Sequence, residues 1–352
     1  MRFLFFFIHP AYFHVFRNTI NLLKQKGHKV DIVITSKDVL EELVLNEGWN
    51  YKNIFPNGRK IKWLPTYLSA FINLIVTIIR IEKYIFKKKY DLFVTDDLIG
   101  INGFIHSTPT ILFQDDDVTA VPESFFQHIF SNKILSPRCS NMGFYNYKKI
   151  PFDGFKELGY LHPNKFNPDY SVVKRFNPSG EKYFVLRLVS LLATHDVGAK
   201  GLDDENVLKI ISKLEKFGNV FITSERQLPE KFEKYRLKIN VNEILNVLYF
   251  AEILISDSQT MSAESAILGT PYLRYNDFVG KISYLNELEN KYELGYGFKT
   301  NQKDQLFDKL DELLSHDNLN KKYQTNRLKM IEEKVDLTDF MIKLFENHPR
   351  KN

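Results

Sequence analysis

The stretch "SDSQTMSAESAILGTP", residues 256–271, follows an apolar run that reads as a strand and opens what reads as a helix. It sets Asp257, Ser258 and Thr260 ahead of Glu264, then closes on Gly269 and Pro271. The amides and positive dipole of a helix N-terminus suit phosphate oxygens, and Ser or Thr hydroxyls add contacts there. The same hydroxyls can simply cap the helix, and the two uses are compatible. Glu264 separates the readings better. A capping box would need a Ser or Thr three residues before the acid, and that position is Met261. An acid one turn into such a helix can instead accept hydrogen bonds from a ribose diol while phosphate rests on the helix end. The alternative is a plain surface glutamate. Gly269 and Pro271 end the helix and reset the chain toward the next strand.

The elements that must position this corner are legible as apolar runs. In the first half, strands are expected at 3–8, 30–35, 92–95 and 110–113, with helices at 12–26 and 37–46. The second half repeats the pattern, with strands at 183–189, 220–223, 253–256 and 272–274 and helices at 203–217, 242–250 and 261–268. Buried strands separated by helices imply parallel sheets covered on both faces, hence an α/β fold of two Rossmann-like halves. The expected division is 1–150, a linker at 151–181 holding four prolines, 182–300, and a charged helical tail at 301–352. Ligands of such sheets bind beyond the carboxyl ends of strands, so residues just after strands matter most.

Bulk properties narrow the classes. A chain of 352 residues exceeds the usual single-domain size, and 44% hydrophobic with 26% charged residues is ordinary for a folded protein. The single cysteine, Cys139, excludes an intrachain disulfide framework, fits a reducing compartment and falls short of a cysteine-rich zinc site. The net charge of +5 favours phosphorylated substrates or an anionic membrane surface. Its basic residues are spread out and no nucleic-acid motif appears, so no nucleic-acid partner is expected. The opening "MRFLFFFIHP" has too short an apolar core for a signal peptide and reads as a buried first strand; a cytoplasmic protein is expected.

Residues 64–86, "LPTYLSAFINLIVTIIRIEKYIF", form the most hydrophobic stretch, interrupted by Arg80. Ser69, Asn73, Thr77 and Arg80 make one narrow polar stripe on it, which predicts a helix packed between the sheet and adjacent helices. Lys60, Lys62, Lys87, Lys88 and Lys89 flank the run, which adds a reading of peripheral contact with the cytoplasmic face of a membrane.

The pattern of Asp257-Ser258, a helix carrying Glu264, then "LGTP" is similar to the donor-binding segment of GT-B glycosyltransferases and of UDP-N-acetylglucosamine 2-epimerase. More narrowly, the chain resembles a prokaryotic domain-of-unknown-function family in that superfamily. "HPAYFHVFRN", "HDVGAKGL", "ITSERQLP", "SDSQTMSAESAILGTP" and "NDFVGKISYLNELENKY" carry the likeness. The resemblance implies a GT-B-like fold, two Rossmann-like domains facing each other across a cleft. It implies a nucleotide-sugar donor with Glu264 on the ribose and Ser258, Gln259 and Thr260 near the diphosphate. The segment "ATHDVGAKG" loosely resembles the epimerase loop in which a basic residue follows histidine. Here Thr194 and His195 precede Asp196, so Lys200 or Arg187 would have to supply the positive charge. Ser224, Glu225 and Arg226 would line the nucleobase pocket, or form an ordinary solvated turn.

In a GT-B arrangement the first half binds the acceptor and carries the base. His9, directly after the first strand, and His14, one turn into the next helix, have the side chain for it; each can equally be a structural histidine. Asp96 and Asp97 after "LFVT", and Asp115 to Asp117 after "ILFQ", are the acidic candidates. Asp115 and Asp117 also have the DXD spacing that holds metal in single-domain glycosyltransferases, but that motif is short and this fold differs, so no metal or other cofactor is expected; the alternative is that one acid caps the next helix and the others face water. The helix at 261–268 can stabilise a leaving diphosphate without metal. The expected function is therefore a nucleotide-sugar-dependent glycosyltransferase of cell-surface polysaccharide or glycoconjugate synthesis, acting on a glycan or lipid-linked acceptor. A nonhydrolysing 2-epimerase and a non-catalytic nucleotide-sugar-binding protein are the alternatives.

Overall fold

After Arg2, the run "FLFFF" offers no polar side chain to either face. Phe3 to Phe7 are accordingly fully buried in a central strand. The computed structural model describes residues 1–59, 66–121, 124–190 and 201–348. The chain divides into two compact units, Met1–Tyr160 together with Val335–Asn352, and Leu161–Lys334.

In the first unit the strands are β1 (Arg2–Phe7), β2 (Lys29–Ile34), β3 (Lys52–Asn53), β4 (Leu92–Thr95), β5 (Thr110–Phe113), β6 (Lys133–Pro137) and β7 (Lys149–Phe152). Among the described residues they form one seven-stranded sheet in the order β3-β2-β1-β4-β5-β6-β7. All pairings are parallel, with Phe3 opposite Val30 on one side and Leu92 on the other. Strand order reverses between β1 and β4, which is where an open α/β sheet exposes a ligand-binding crevice. Phe5, Phe16 and Phe113 meet edge to face beneath it, with centroids 5.5 and 5.8 Å apart.

The expected linker begins too early. Pro151 lies in β7, an edge strand that tolerates a missing amide, and Phe155 and Leu158 just beyond are fully buried. The tail divides as well. Helix Leu337–Glu346 packs on helix Pro10–Gln25, bringing Phe345 to 6.0 Å from Phe5, and Thr338 Oγ1 donates to the Gly159 carbonyl at 2.9 Å.

The apolar run forms helix Thr66–Ile85. The polar side is turned inward. Asn73 Nδ2 donates to the Arg59 carbonyl at 2.5 Å, Arg80 donates to the Ile54 carbonyl and its guanidinium lies 4.6 Å over the Phe55 ring. The apolar residues Leu68, Phe71, Ile75 and Ile79 are 42–58% exposed instead. Among the described residues no helix is long and apolar enough to cross a membrane.

His128, on helix Phe125–Phe130, is fully buried against the Tyr145 ring, and neither ring nitrogen has a hydrogen-bond partner. Burial, with Lys148 nearby, lowers its pKa from 6.5 to about 4. The unfolded chain therefore binds this proton more readily than the folded one, and stability falls as the pH drops from about 6.5 to about 4. A gap of this size corresponds to roughly 3 kcal/mol. In urea titrations at pH 7 and pH 4.5, His128→Leu should lose clearly less stability on acidification than the wild-type chain. Equal losses would assign the acid sensitivity elsewhere.

The second unit holds β8 (Tyr183–Leu188), β9 (Asn219–Ser224), β10 (Ile253–Ser256), β11 (Tyr272–Tyr275) and β12 (Gly295–Phe298). Among the described residues they form a parallel five-stranded sheet ordered β12-β11-β10-β8-β9. Strand β10 is central, and its four residues are fully buried. The chain leaves it directly into the 256–271 corner.

Candidate functional site

Helix Gln259–Leu268 begins at that corner, and every residue from Met261 to Leu268 is buried. Ser258 is its N-cap, with extended backbone and a hydroxyl that accepts from the Met261 amide at 3.2 Å. The amides of Gln259 and Thr260, in the first turn, have no intrahelical acceptor and sit at the positive end of the dipole. Glu264 is 7% exposed, so it is not a surface glutamate. It lies five residues along from Gln259, about 7.5 Å of axial rise, and helical side chains lean back toward the N-terminus. The far end is closed by Gly269 in the left-handed conformation (φ 80°), in a Schellman turn with Thr270 donating to Ser265. Arg327 and Gln324 side chains cap the last carbonyls at 2.7 and 3.0 Å. The helix is thus fixed at its C-terminus and presents amides at the other end.

Asp257, to which the sequence pattern attached no role, anchors the neighbouring loop. Its carboxylate accepts from the Val189 amide at 2.7 Å and the Leu202 amide at 3.3 Å, at the two ends of the segment joining β8 to the next helix. A Cβ on Gly201 would lie 2.6 Å from this carboxylate, so only glycine allows the approach. Burial raises the Asp257 pKa to about 6 against the lowering effect of the Val189 amide and Arg226. A raised acid pKa gives stability that is full below about pH 3.8 and is lost as pH rises through about 6. Asn276 Nδ2 fixes the Asp257 carbonyl at 2.9 Å.

The other sequence candidates of this unit fall into two groups. Arg187, at the end of β8, pairs with Glu225, and its second nitrogen donates to Thr223 Oγ1 at 3.0 Å. Two expected donor-contacting residues therefore neutralise each other. Ser224 Oγ donates to the Arg226 carbonyl at 2.7 Å, closing the turn after β9. His195 and Lys200 lie outside the described residues. The sequence reading also missed Arg274, fully buried on β11 and held by Glu289 at 2.9 Å.

The carboxyl ends of β1, β4 and β5 gather a second set in the first unit. His9 caps helix Pro10–Gln25, its Nδ1 accepting from the Ala11 amide at 3.2 Å. A neutral ring then carries its proton on Nε2 and presents a donor. His14 is lowered to about 4 by burial and by Arg17, which makes it a weak base at neutral pH. Asp115 forms a buried pair with Lys156 and accepts from Tyr12 Oη at 2.8 Å. Asp117 accepts from the Asn141 amide at 2.8 Å. Asp96 accepts from the Ile8 amide at 3.1 Å, and burial together with neighbouring Asp97 raises its pKa well above the usual carboxylate value. Asp97 itself pairs with Arg59 at 2.5 Å. Among the described residues no group of three His, Cys, Asp or Glu is placed to hold a metal ion.

No family model and no curated protein matches the sequence. Solved structures do match it in fold. The glycotransferase of kitacinnamycin superposes with a TM-score of 0.63 at 11% identity, over 99% of this chain and 98% of that one. The UDP-GlcNAc 2-epimerase from Neisseria meningitidis bound to UDP-GlcNAc gives 0.66 at 11% identity, over 99% and 100%. The fold is GT-B. A third GT-B neighbour, MnaA of S. aureus with UDP, gives 0.68 at 14% identity, over 98% and 97%. At these identities glycosyltransferases and 2-epimerases are equally near.

Proposed function

We propose that this chain is a nucleotide-sugar-dependent glycosyltransferase serving cell-surface polysaccharide or glycoconjugate synthesis, with a glycan or lipid-linked acceptor. The observation that carries the reading is the buried helix Gln259–Leu268 directly after the central strand, with first-turn amides that have no intrahelical acceptor and a buried Glu264 in its second turn. In this reading the amides of Gln259 and Thr260 meet the diphosphate oxygens and Glu264 accepts from the ribose diol. Two GT-B neighbours hold UDP-GlcNAc and UDP, which makes a uridine diphosphate sugar the first donor to test.

Transfer breaks the bond from the sugar C1 to the diphosphate and forms one from C1 to the acceptor oxygen. The bonding electrons leave with the diphosphate, where the helix amides and dipole stabilise the charge without a metal. The acceptor proton passes to a carboxylate or imidazole base. Asp96 is a candidate for that task beside the capping His9, because burial and neighbouring Asp97 raise its pKa and so make its carboxylate more basic, whereas burial makes His14 a weak base.

A nonhydrolysing 2-epimerase is the second reading. The same Asp96 favours it, since a carboxyl held near its neutral form can exchange a proton at the sugar C2. Incubation with a nucleotide-sugar panel in deuterated water separates the readings. Transfer gives nucleoside diphosphate only when an acceptor is added, with no deuterium at C2. Deuterium at C2 without acceptor establishes the epimerase, and binding without either outcome leaves a non-catalytic protein.

A further inference from the structure

The first unit carries an apolar stripe on the wrong side of a helix. On Thr66–Ile85, Leu68, Phe71, Ile75 and Ile79 follow one another at helical spacing, span about 16 Å along the axis and are 42–58% exposed. Phe86, two turns beyond Ile79 and just past the helix end, is 67% exposed. Nothing in the helix chemistry required this. Its polar groups are satisfied within the unit: Ser69 and Thr77 are buried, and Asn73 and the exposed Arg80 donate to backbone carbonyls. The exposure also continues onto the neighbouring elements. Asn102 ties helix Gly100–Ile105 to the Ile78 carbonyl at 3.1 Å, and that helix shows Phe104 at 81% and Ile105 at 57%. Gly100 in turn packs on the Phe130 backbone of a helix that leaves Phe125 and Phe126 half exposed.

Charge defines what can cover this face. Lys83, Lys87 and Lys89 are exposed at the C-terminal end of the stripe, and Lys88 lies 3.6 Å over the Tyr84 ring. The acid of this helix, Glu82, is taken up by Asn102 at 2.6 Å and His106 at 2.7 Å. Lys87, Lys88, Lys89, His106 and Thr108 line a cavity of about 260 Å³ beside the helix end. We propose that this face docks on an anionic lipid bilayer. The helix lies in the interface plane, its stripe enters the acyl boundary, and the lysines meet phosphate headgroups. Arg80 and Lys83 within the run keep it from crossing. A second copy of the chain would bring the same lysines onto this face, which argues against self-association.

The proposal is independent of the donor reading and is tested without substrate. Co-sedimentation should pellet the full-length chain with phosphatidylcholine vesicles containing phosphatidylglycerol at low salt, and much less with pure phosphatidylcholine or at high salt. Phe71→Ser/Ile75→Ser/Ile79→Ser should reduce the partition coefficient at least about tenfold while the melting temperature holds. Lys83→Glu/Lys89→Glu, which alters only exposed charges, should also reduce it about tenfold at low salt. The proposal is overturned if the wild-type chain stays in the supernatant with anionic vesicles, or if either variant binds them as the wild type does. It is overturned equally by a dimer that the triple-serine variant dissociates and that does not bind vesicles.

Discussion

Lys156→Met destabilises the chain by about 3–5 kcal/mol, the cost of leaving a buried charge without its partner. Asp115 is 2% exposed, and its carboxylate is held by Lys156 and the Tyr12 hydroxyl. Without the ammonium, the hydroxyl remains, and a single neutral donor does not replace a charge in a dry site. Tyr12 cannot take over by other means, because burial and Asp115 push its pKa well above 10 and it stays a donor. Glu157, fully buried and 3.7 Å from Lys156 Nζ, adds a second carboxylate that the same ammonium faces. Asp115→Asn/Lys156→Met removes both charges of the main pair and should recover a large part of the loss. Equilibrium unfolding in urea checks both variants. A single-variant loss below about 1 kcal/mol would mean that water or rearrangement compensates Asp115, and the pair would no longer be what fixes the end of β5.

Glu264→Ala should lower the affinity for a nucleoside diphosphate sugar by roughly 10–100-fold, since hydrogen bonds to a charged group contribute about 1.5–3 kcal/mol. Glu264→Gln keeps the shape and should fall in between. The fold should hold, because the helix is anchored at its C-terminus by the Gly269 turn and by Arg327 and Gln324. Calorimetric titration with a melting curve for each variant reads both quantities. Unchanged affinity in a folded Glu264→Ala protein would remove the ribose role.

The sequence carried the central strands well, because β1, β4, β5, β8 and β10 are buried on both faces and their apolar runs cannot be read otherwise. It carried the edges poorly. β3 is two residues long, β7 contains Pro151, and "GYGF" in β12 has two glycines, so none shows a strand's composition. The two Rossmann-like halves followed from the repeated strand–helix order, and the GT-B fold from the family resemblance carried by the 256–271 corner and the other quoted motifs. Helix Thr66–Ile85 is where pattern alone falls short, because it marks a polar stripe without saying what the stripe faces. Here it faces the Ile54 and Arg59 carbonyls, which no local pattern could reveal. Partnerships across sequence distance were hidden for the same reason. Lys156 with Asp115, Arg187 with Glu225, and Asp257 with both ends of its loop depend on which strand ends the topology brings together. Asp257 stood in the quoted motif, and its position directly after the central strand of its sheet was the signal available.

The central claim is that the amides opening helix Gln259–Leu268 bind the diphosphate of a nucleotide sugar. Nuclear magnetic resonance on amide-labelled protein tests it directly, with a uridine diphosphate sugar as titrant and adenosine and guanosine diphosphate sugars run in parallel. The account expects at least one of these donors to saturate the protein, with the largest shifts at the Gln259 and Thr260 amides and with both shifts lost in Glu264→Ala at the same concentrations. Saturation that leaves those two amides unmoved, or no saturation by any donor, would contradict it.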